Sequence, residues 1–356
     1  MKSSFPLNAW YAVAWDFDVR RELLPRTICN NRIVLYRRLD RRVVALDDAC
    51  WHRLLPLSMG RLDGDSVVCG YHGLVFEAGG RCVHMPSQET VNPAACVRSY
   101  PVSERHRLVW IWPGNPALAR VDLIPDLHWL DDPEWVGDVE TIHLHCNYRL
   151  VLDNLMDLTH ETFVHAGSIG NAAVAEAPFE VARTGETVTV TRWMHDVEPP
   201  PFLQEQLGKS GRVDRWQIIN YSAPSSIVID VGIAPTGSGA PLGDRSQGIN
   251  NMVVNTITPE TEGSSFYFWS YPRNYRLREQ QVTVEQRRSV AVVFRQDEAV
   301  LEAQQRAITE NPNKSFYNLN IDAGAMWVRR ILDERILSEE NSVPNIGVSL
   351  TPAAAE

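Results

Sequence analysis

The chain runs to 356 residues with 44% hydrophobic and 22% charged side chains, a globular composition with room for about two domains of ordinary size. Acids outnumber bases 44 to 34, and the net charge of −10 argues against a nucleic-acid partner gripped through phosphates and gives no hint of an anionic-membrane surface. No stretch nears the ~18 apolar residues of a spanning helix. The opening MKSSFPLNAWYAVAWDFD breaks at Asp16 and Asp18 without a cleavage pattern, so a cytoplasmic protein is expected. The first 120 residues read as short strands between turns. RIVLYRRLD, RVVALDDA, SVVCGY and LVWIWPG are rich in β-formers, and LDGD, EAGG and PGNP punctuate them, so residues 1–120 are expected to form a small all-β domain. The Pro- and Asp-rich LIPDLHWLDDPEWVGD marks a boundary, and residues 121–356 read as a second domain. This begins with a helical NYRLVLDNLMDLTHETFVH. Strands return at TVTVTRWMHDV, RWQIINYSAPSSIVIDVGIAP and NNMVVNTITPETEGSSFYFWSYPRNY, as an antiparallel sheet requires. The C-terminal part is helical again, EQRRSVAVVFRQDEAVLEAQQRAI setting Val290, Val293, Phe294, Ala299 and Leu301 among charges. The expected fold class is α+β, a β domain followed by an antiparallel sheet gripped by helices.

Six cysteines are too sparse for a disulfide scaffold in a chain of this size, and in a reducing compartment Cys and His at short spacing point to metal. CWH supplies Cys50 and His52, and CGYH supplies Cys69 and His72, the two loops offering thiolate and imidazole in the same order. Thiolates suit iron–sulfur or zinc, and paired imidazoles raise a cluster's potential. The pattern fits a Rieske [2Fe–2S] centre, with one iron on the cysteines and the other on the histidines. Glycines at 60, 70 and 73 suit tight turns beside it. A structural zinc site draws on the same residue types but pairs Cys with Cys and His with His at short spacing. Cys82 and His84 lack a partner loop. His143, His145 and Cys146 sit in a strand whose alternation parts the thiol from the imidazoles.

The stretch NLMDLTHETFVH is the densest in polar groups. His160 and His165 are five apart, about 140° on a regular helix, so they cannot meet at one metal unless the helix widens or ends between them. The zinc-protease spacing is four, which excludes that chemistry. Two imidazoles call for a carboxylate to complete a facial triad for iron. Periodicity alone leaves Asp297 and Glu298 open. Asp157, one helical turn before His160, is a candidate to face the same way, as is Asn154. Glu161 is expected to point away.

With these motifs the chain resembles the oxygenase components of the Rieske non-haem iron aromatic oxygenases, in the vanillate and dicamba O-demethylase branch. Toluenesulfonate methyl-monooxygenase is similar too. The resemblance runs through NAWYAVAW, both Cys/His loops, SYPVSERHRLVWIWPGNPALA, CNYRLVLDNLMDLTHETFVHAGSIG, TITPETE and LNIDAGAMWVRRILDERIL. It departs at Trp51, where that branch carries proline. The resemblance implies that Cys50, His52, Cys69 and His72 hold the cluster and that His160, His165 and Asp297 hold a mononuclear Fe(II). It also implies that Asp157 joins His72 of one chain to His160 of the next, hence a homotrimer.

The activity implied is reductase- and O2-dependent O-demethylation of a methoxy-substituted aromatic acid, electrons coming from a separate NADH-dependent flavin and iron–sulfur reductase. Methyl or ring hydroxylation of another aromatic acid or an arenesulfonate is the alternative within the class, and a Rieske electron carrier the one outside it. Candidates for substrate contact are Asn255, by position in the dicamba enzyme, Arg288 for its guanidinium, and Asp230. On a straight helix Arg288 lies nine residues, about 180°, from Asp297.

Overall fold

The computed structural model describes residues 4–86, 88–166, 168–170 and 172–342. Three small antiparallel sheets make up the first part of the chain. One joins Tyr11–Trp15, Leu108–Ile111 and Val102–Arg105, and a second joins Leu24–Ile28, Asn31–Arg37 and Val43–Asp47. The third has the order Arg61–Asp63, Ser66–Val68, Val75–Phe76, Cys82–His84. Val34, Tyr36, Leu46, Leu57, Val67 and Phe76 pack into one core that encloses Cys50 and Cys69. Tyr11–Trp15 escaped the strand reading because YAVAW is apolar at every position and buried throughout, with no alternation to mark it.

The second part is a seven-stranded antiparallel sheet. Its order is Val139–Leu144, Ser264–Ser270, Ile249–Thr261, Ser226–Pro235, Val213–Ser222, Thr187–Val197, Phe179–Thr184. Thr187–Val197 shows how it packs: Val188, Val190, Arg192 and Met194 are buried in alternation, so the strand has one inward face. Among the described residues six α-helices accompany the sheet: α1 (Tyr148–Met156), α2 (Glu161–Val164), α3 (Ala172–Glu176), α4 (Pro201–Leu207), α5 (Gln280–Glu310) and α6 (Ala323–Ser342). Leu150, Val151, Leu155 and Met156 of α1 share one core with Val190, Ile219, Ile229 and Val253 of the sheet. Val293 and Phe294 of α5 and Val328 and Ile331 of α6 join the same core. Helix α1 is therefore wedged between the sheet and the two C-terminal helices. No helix among the described residues is long and apolar enough to cross a membrane.

Contacts across position 120 are extensive. Trp15 Nε1 donates to Thr141 Oγ1 (3.0 Å), and the N–H groups of Cys29 and Asn30 donate to the carbonyls of Pro259 (2.8 Å) and Glu260 (2.9 Å). Phe5, Tyr11 and Val13 belong to the same core as α1 and the large sheet.

Candidate metal centres

The two Cys/His loops are built alike. Cys50 N–H donates to Leu55 O (2.9 Å) and Leu54 N–H returns to Cys50 O (2.9 Å). Cys69 N–H donates to Leu74 O (2.8 Å) and Gly73 N–H to Cys69 O (3.1 Å), the same offsets. The fifth residue of each loop is left-handed, Gly73 at φ 73° and Leu54 at φ 61°, so one loop meets the turn with glycine and the other with a conformation that leucine seldom adopts. Gly60 serves a different end: a Cβ there would fall 2.1 Å from the Val68 carbonyl oxygen, so the strand after the first loop can approach its neighbour closely.

Both cysteines are buried and both histidines exposed. His52 Nδ1 and His72 Nδ1 lie 3.1 Å apart, close to the separation of two ligands on one metal ion. Burial pushes the Cys50 thiol up to about 11, the His52 N–H opposing and Cys69 adding to it. Two buried thiols beside two exposed imidazoles make a donor set that fits a buried metal cluster with its imidazole edge turned outward. Cys82 plays no part, its Sγ resting on the His84 carbonyl (3.3 Å). His143 and His145 are exposed and Cys146 is buried, as alternation requires.

The second centre forms because the helix breaks. Asn147 caps α1, its side chain accepting the Arg149 N–H (2.9 Å), and the helix stops at Asp157, whose φ of −128° and ψ of 110° are extended. A 3-10 turn, Leu158–His160, and the short α2 follow, and His165 lies just past the end of α2. The single helix read from the sequence is thus three pieces. Asp157 is extended and caps this turn, so it and His160 do not lie one turn apart on a single continuous helix. Its carboxylate caps Thr159 N–H (2.8 Å), and its main-chain carbonyl takes His160 Nδ1 (2.6 Å).

The break brings His160, His165 and Asp297 together, their ligand atoms within 4.8 Å of one another. Asp297 Oδ1 is 3.4 Å from His160 Nε2 and 3.2 Å from His165 Nε2. Ligands at right angles on bonds of about 2.1 Å lie about 3 Å apart, so the three fit one face of an octahedron. Each Nδ1 is engaged, His160 by the Asp157 carbonyl and His165 by Gln296 Oε1 (2.8 Å), which leaves each Nε2 for a metal. Burial disfavours both imidazolium ions, but the hydrogen bond and charge of Asp297 outweigh it and raise both histidines. Burial opposes the Asp297 carboxylate in the same way, and the two histidines hold it at about 2. Asn154 donates to Asp297 Oδ1 from 3.2 Å.

A cavity of about 330 Å³ opens beside this triad, lined mostly by apolar residues such as Leu158, Ile169, Leu203, Ile229, Val253 and Phe294. That suits a small aromatic ligand. The sequence-derived substrate contacts are not among its lining residues. Asn255 is fully buried, with Nδ2 on the Ile227 and Val253 carbonyls (both 3.0 Å) and Oδ1 on Tyr267 Oη (2.6 Å), so the sheet uses its polar groups. Asp230 is bound by Trp216 Nε1 (2.9 Å), Arg245 (2.6 Å) and Asn250 (3.0 Å), in a separate network. Arg288 is exposed, on the far side of α5 from Asp297 as the helical angle requires.

In their place the structure puts a group that sequence reasoning missed. Glu161, expected to point away, is buried against Arg215 (3.2 Å) and Gln217 (2.9 Å), and all three line the cavity. Arg215 and Gln217 sit two apart on one strand and so share a face. A charged residue spaced that way among β-formers was the available signal.

Comparison with known proteins agrees with both centres. Residues 9–101 match the Rieske [2Fe-2S] domain, and residues 144–338 the vanillate O-demethylase oxygenase C-terminal domain. The vanillate O-demethylase oxygenase subunit of Pseudomonas sp. strain HR199 is 40% identical, over 95% of this chain and 97% of its own. The toluene-4-sulfonate monooxygenase iron-sulfur subunit of Comamonas testosteroni is also 40% identical, over 95% and 98%. Dicamba monooxygenase bound to 3,6-dichlorosalicylic acid superposes with a TM-score of 0.88 at 34% identity, covering 94% of this chain and 99% of that one. A further structure of dicamba monooxygenase, with non-haem iron and dicamba, has a TM-score of 0.79 at 33% identity, over 96% and 100%.

Proposed function

Because the chain belongs to the Rieske non-haem iron oxygenases that carry the vanillate O-demethylase oxygenase C-terminal domain, we propose that it demethylates a methoxy-substituted aromatic acid. Proteins of this family are oxygenase components that work with a separate reductase, and they carry a [2Fe–2S] cluster and a mononuclear iron. In our reading Cys50, His52, Cys69 and His72 hold the cluster, in a unit spanning residues 1–120. His160, His165 and Asp297 hold the iron in residues 121–356.

When bound, the cluster supplies stored electrons and the iron activates dioxygen. The apolar wall positions the ring with its methoxy group towards the triad and keeps bulk water away from the reacting carbon. Insertion of one oxygen atom into the methyl C–H bond gives a hemiacetal, which collapses to a phenol and formaldehyde. The second oxygen atom leaves as water, and two electrons come from NADH through a flavin and iron–sulfur reductase.

The observation that carries the reading is the convergence of two imidazoles and a carboxylate at one point beside an apolar cavity. The same convergence argues against a pure electron carrier. Exposed Trp51, Leu54, Met59 and Tyr71 surround the His52/His72 edge, an apolar surface that calls for a cover. We assign that cover to a neighbouring chain of a homotrimer, in which Asp157 of one subunit meets His72 of another. None of the six cysteines is paired, which suits the cytoplasm.

The equally similar toluene-4-sulfonate enzyme favours a second reading, hydroxylation of an aryl methyl group. Purified protein with reductase and NADH, offered methoxy- and methyl-substituted aromatic acids, separates the two. We expect formaldehyde in step with NADH consumption. A benzyl alcohol without formaldehyde assigns methyl hydroxylation instead.

A further inference from the structure

Strands Thr187–Val197 and Val213–Ser222 pair so that Arg192 and Gln217 stand directly opposite each other. Both are buried, Arg192 at 5% exposure and Gln217 at 2%. Each leaves one polar atom without a partner in the protein, Nε of Arg192 and Oε1 of Gln217. The amide cannot turn round to serve its oxygen, because Gln217 Nε2 lies 2.9 Å from each oxygen of the Glu161 carboxylate, a place only a donor can take. Arg192 Nη2 donates to Thr159 Oγ1 (3.0 Å), and burial lowers the guanidinium pKa, with the charge of Asp157 opposing. The orphaned donor and the orphaned acceptor line one small cavity of about 10 Å³, close to the least that admits a single water molecule. Asp157 is the third polar side chain among the described residues on its wall, and Met156, Val190, Ile219 and the rest are apolar.

We propose that this cavity binds one water molecule and that Arg192, acting through it, is a positioning residue for Asp157. The inference rests on the reading of Asp157 as the electron bridge between subunits. A buried water makes about three hydrogen bonds, and three groups meet here. The water accepts from Arg192 Nε and donates to Gln217 Oε1 and to the Asp157 carboxylate. One molecule thus serves a buried donor and a buried acceptor that otherwise bear their full desolvation cost. Asp157 is then held from two sides, by the Thr159 N–H within its own turn (2.8 Å) and by the water from the strand pair, so its carboxylate meets the neighbouring chain in one orientation. Gln217 also lines the large cavity beside the triad, so the same water ties the wall of that cavity to Asp157.

Two substitutions at one position test this. Arg192→Gln sets an amide nitrogen where Arg192 Nε stands, and Arg192→Met sets a methyl carbon there. Both remove the charge and the Thr159 contact alike. Reduced holoenzyme of each, holding the aromatic acid that the unaltered enzyme turns over, is mixed with O2 and cluster reoxidation is followed by absorbance. We expect reoxidation about tenfold slower in Arg192→Met, as for a lost hydrogen bond to a charged group, and within about threefold of the unaltered rate in Arg192→Gln. In the Asp157→Asn background Arg192→Met should slow it no further, because both changes act through one carboxylate. Diffraction from holoenzyme crystals should show the water between Arg192 Nε and Gln217 Oε1, and lose it in Arg192→Met. A dry cavity in the unaltered enzyme overturns the proposal. So do equal rates in Arg192→Gln and Arg192→Met, or losses that add to that of Asp157→Asn, since these leave Arg192 only its charge or its packing. Where Arg192→Met fails to fold, the density in the unaltered enzyme decides. An unaltered rate in Asp157→Asn removes the electron bridge itself, a failure of the underlying reading, and the water site then stands or falls on the density alone.

Discussion

At the scale of single residues, the proposed iron site combines two histidines that are raised and an aspartate held at about 2. The signs fix how metal affinity depends on pH. A raised imidazole keeps its proton to higher pH than a free histidine near 6.5, and an incoming metal must displace that proton. Asp297 stays ionised over the whole working range and contributes no such dependence. Mononuclear iron is therefore expected to be retained on dialysis against a weak chelator at pH 8 and lost progressively towards pH 6. Equal iron content at both pH values contradicts this. Asp297→Asn or His165→Ala should abolish turnover and remove the mononuclear iron, with the visible absorption of the cluster unchanged. Loss of that absorption indicates that the ligands have been divided wrongly between the centres. The residue types were legible in the sequence because their chemistry is narrow. Periodicity left Asp297 and Glu298 open and only the resemblance pointed to Asp297; in the fold Asp297 shares the buried face of α5 with Val290, Val293 and Phe294. Gln296, which orients His165, carried no sequence signal, and Ala299, grouped with the apolar stripe, is exposed.

At the scale of elements, strands with clean alternation or dense β-formers were readable, and so was the amphipathic α5. The break between α1 and α2 was foreseen only as a requirement, because five-residue spacing cannot converge on a regular helix. Where it falls was not readable. Asp157 caps the next turn instead of continuing the helix, a competition between side chain and backbone that local composition does not settle. The segment after the break is held by Gly170. Its N–H donates to the His165 carbonyl (3.2 Å), and a Cβ built on it would lie 1.8 Å from the Glu161 carbonyl oxygen. Gly170→Ala must lift this turn off α2, displacing His165 and the Ile169 carbonyl that holds Arg215. The expected cost is about 1–3 kcal/mol in urea unfolding, together with reduced mononuclear iron. Gly263→Ala, with nothing within 4 Å of the added carbon, is the control expected to change neither. Full iron and unaltered unfolding in Gly170→Ala mean that the turn relaxes freely and does not position His165.

For the whole molecule, one core runs from Phe5 and Tyr11 through α1 to the large sheet, so each chain presents its cluster edge and its iron site in a fixed relation. Composition could not show this, since the contacts join segments more than a hundred residues apart. The cluster edge faces outward: His52 and His72 are exposed, with Trp51 at 42% and Leu54 at 73% beside them. In the homotrimer we propose, electrons reaching the iron from a neighbouring subunit need a polar bridge, a role we assign to Asp157. Its main-chain carbonyl already orients His160, and its carboxylate is partly buried at the break. Asp157→Asn isolates the charge. Asparagine caps a helical turn as well as aspartate does, so the Thr159 cap survives, and the carbonyl on His160 is untouched. Fold, mononuclear iron, cluster absorption and sedimentation as a trimer should therefore all persist. Turnover should fall at least about thirtyfold, the factor that accompanies loss of a buried hydrogen-bonded charge partner worth ~2 kcal/mol. The deficit must appear in the step between the centres: with substrate bound, the reduced cluster should reoxidise slowly on mixing with O2, although reductase reduces it at the normal rate. Normal reoxidation with low turnover assigns Asp157 a local role at the iron. Turnover within twofold of the unaltered enzyme removes it from the electron path, and the outward cluster edge must then be served by another residue of the neighbouring chain.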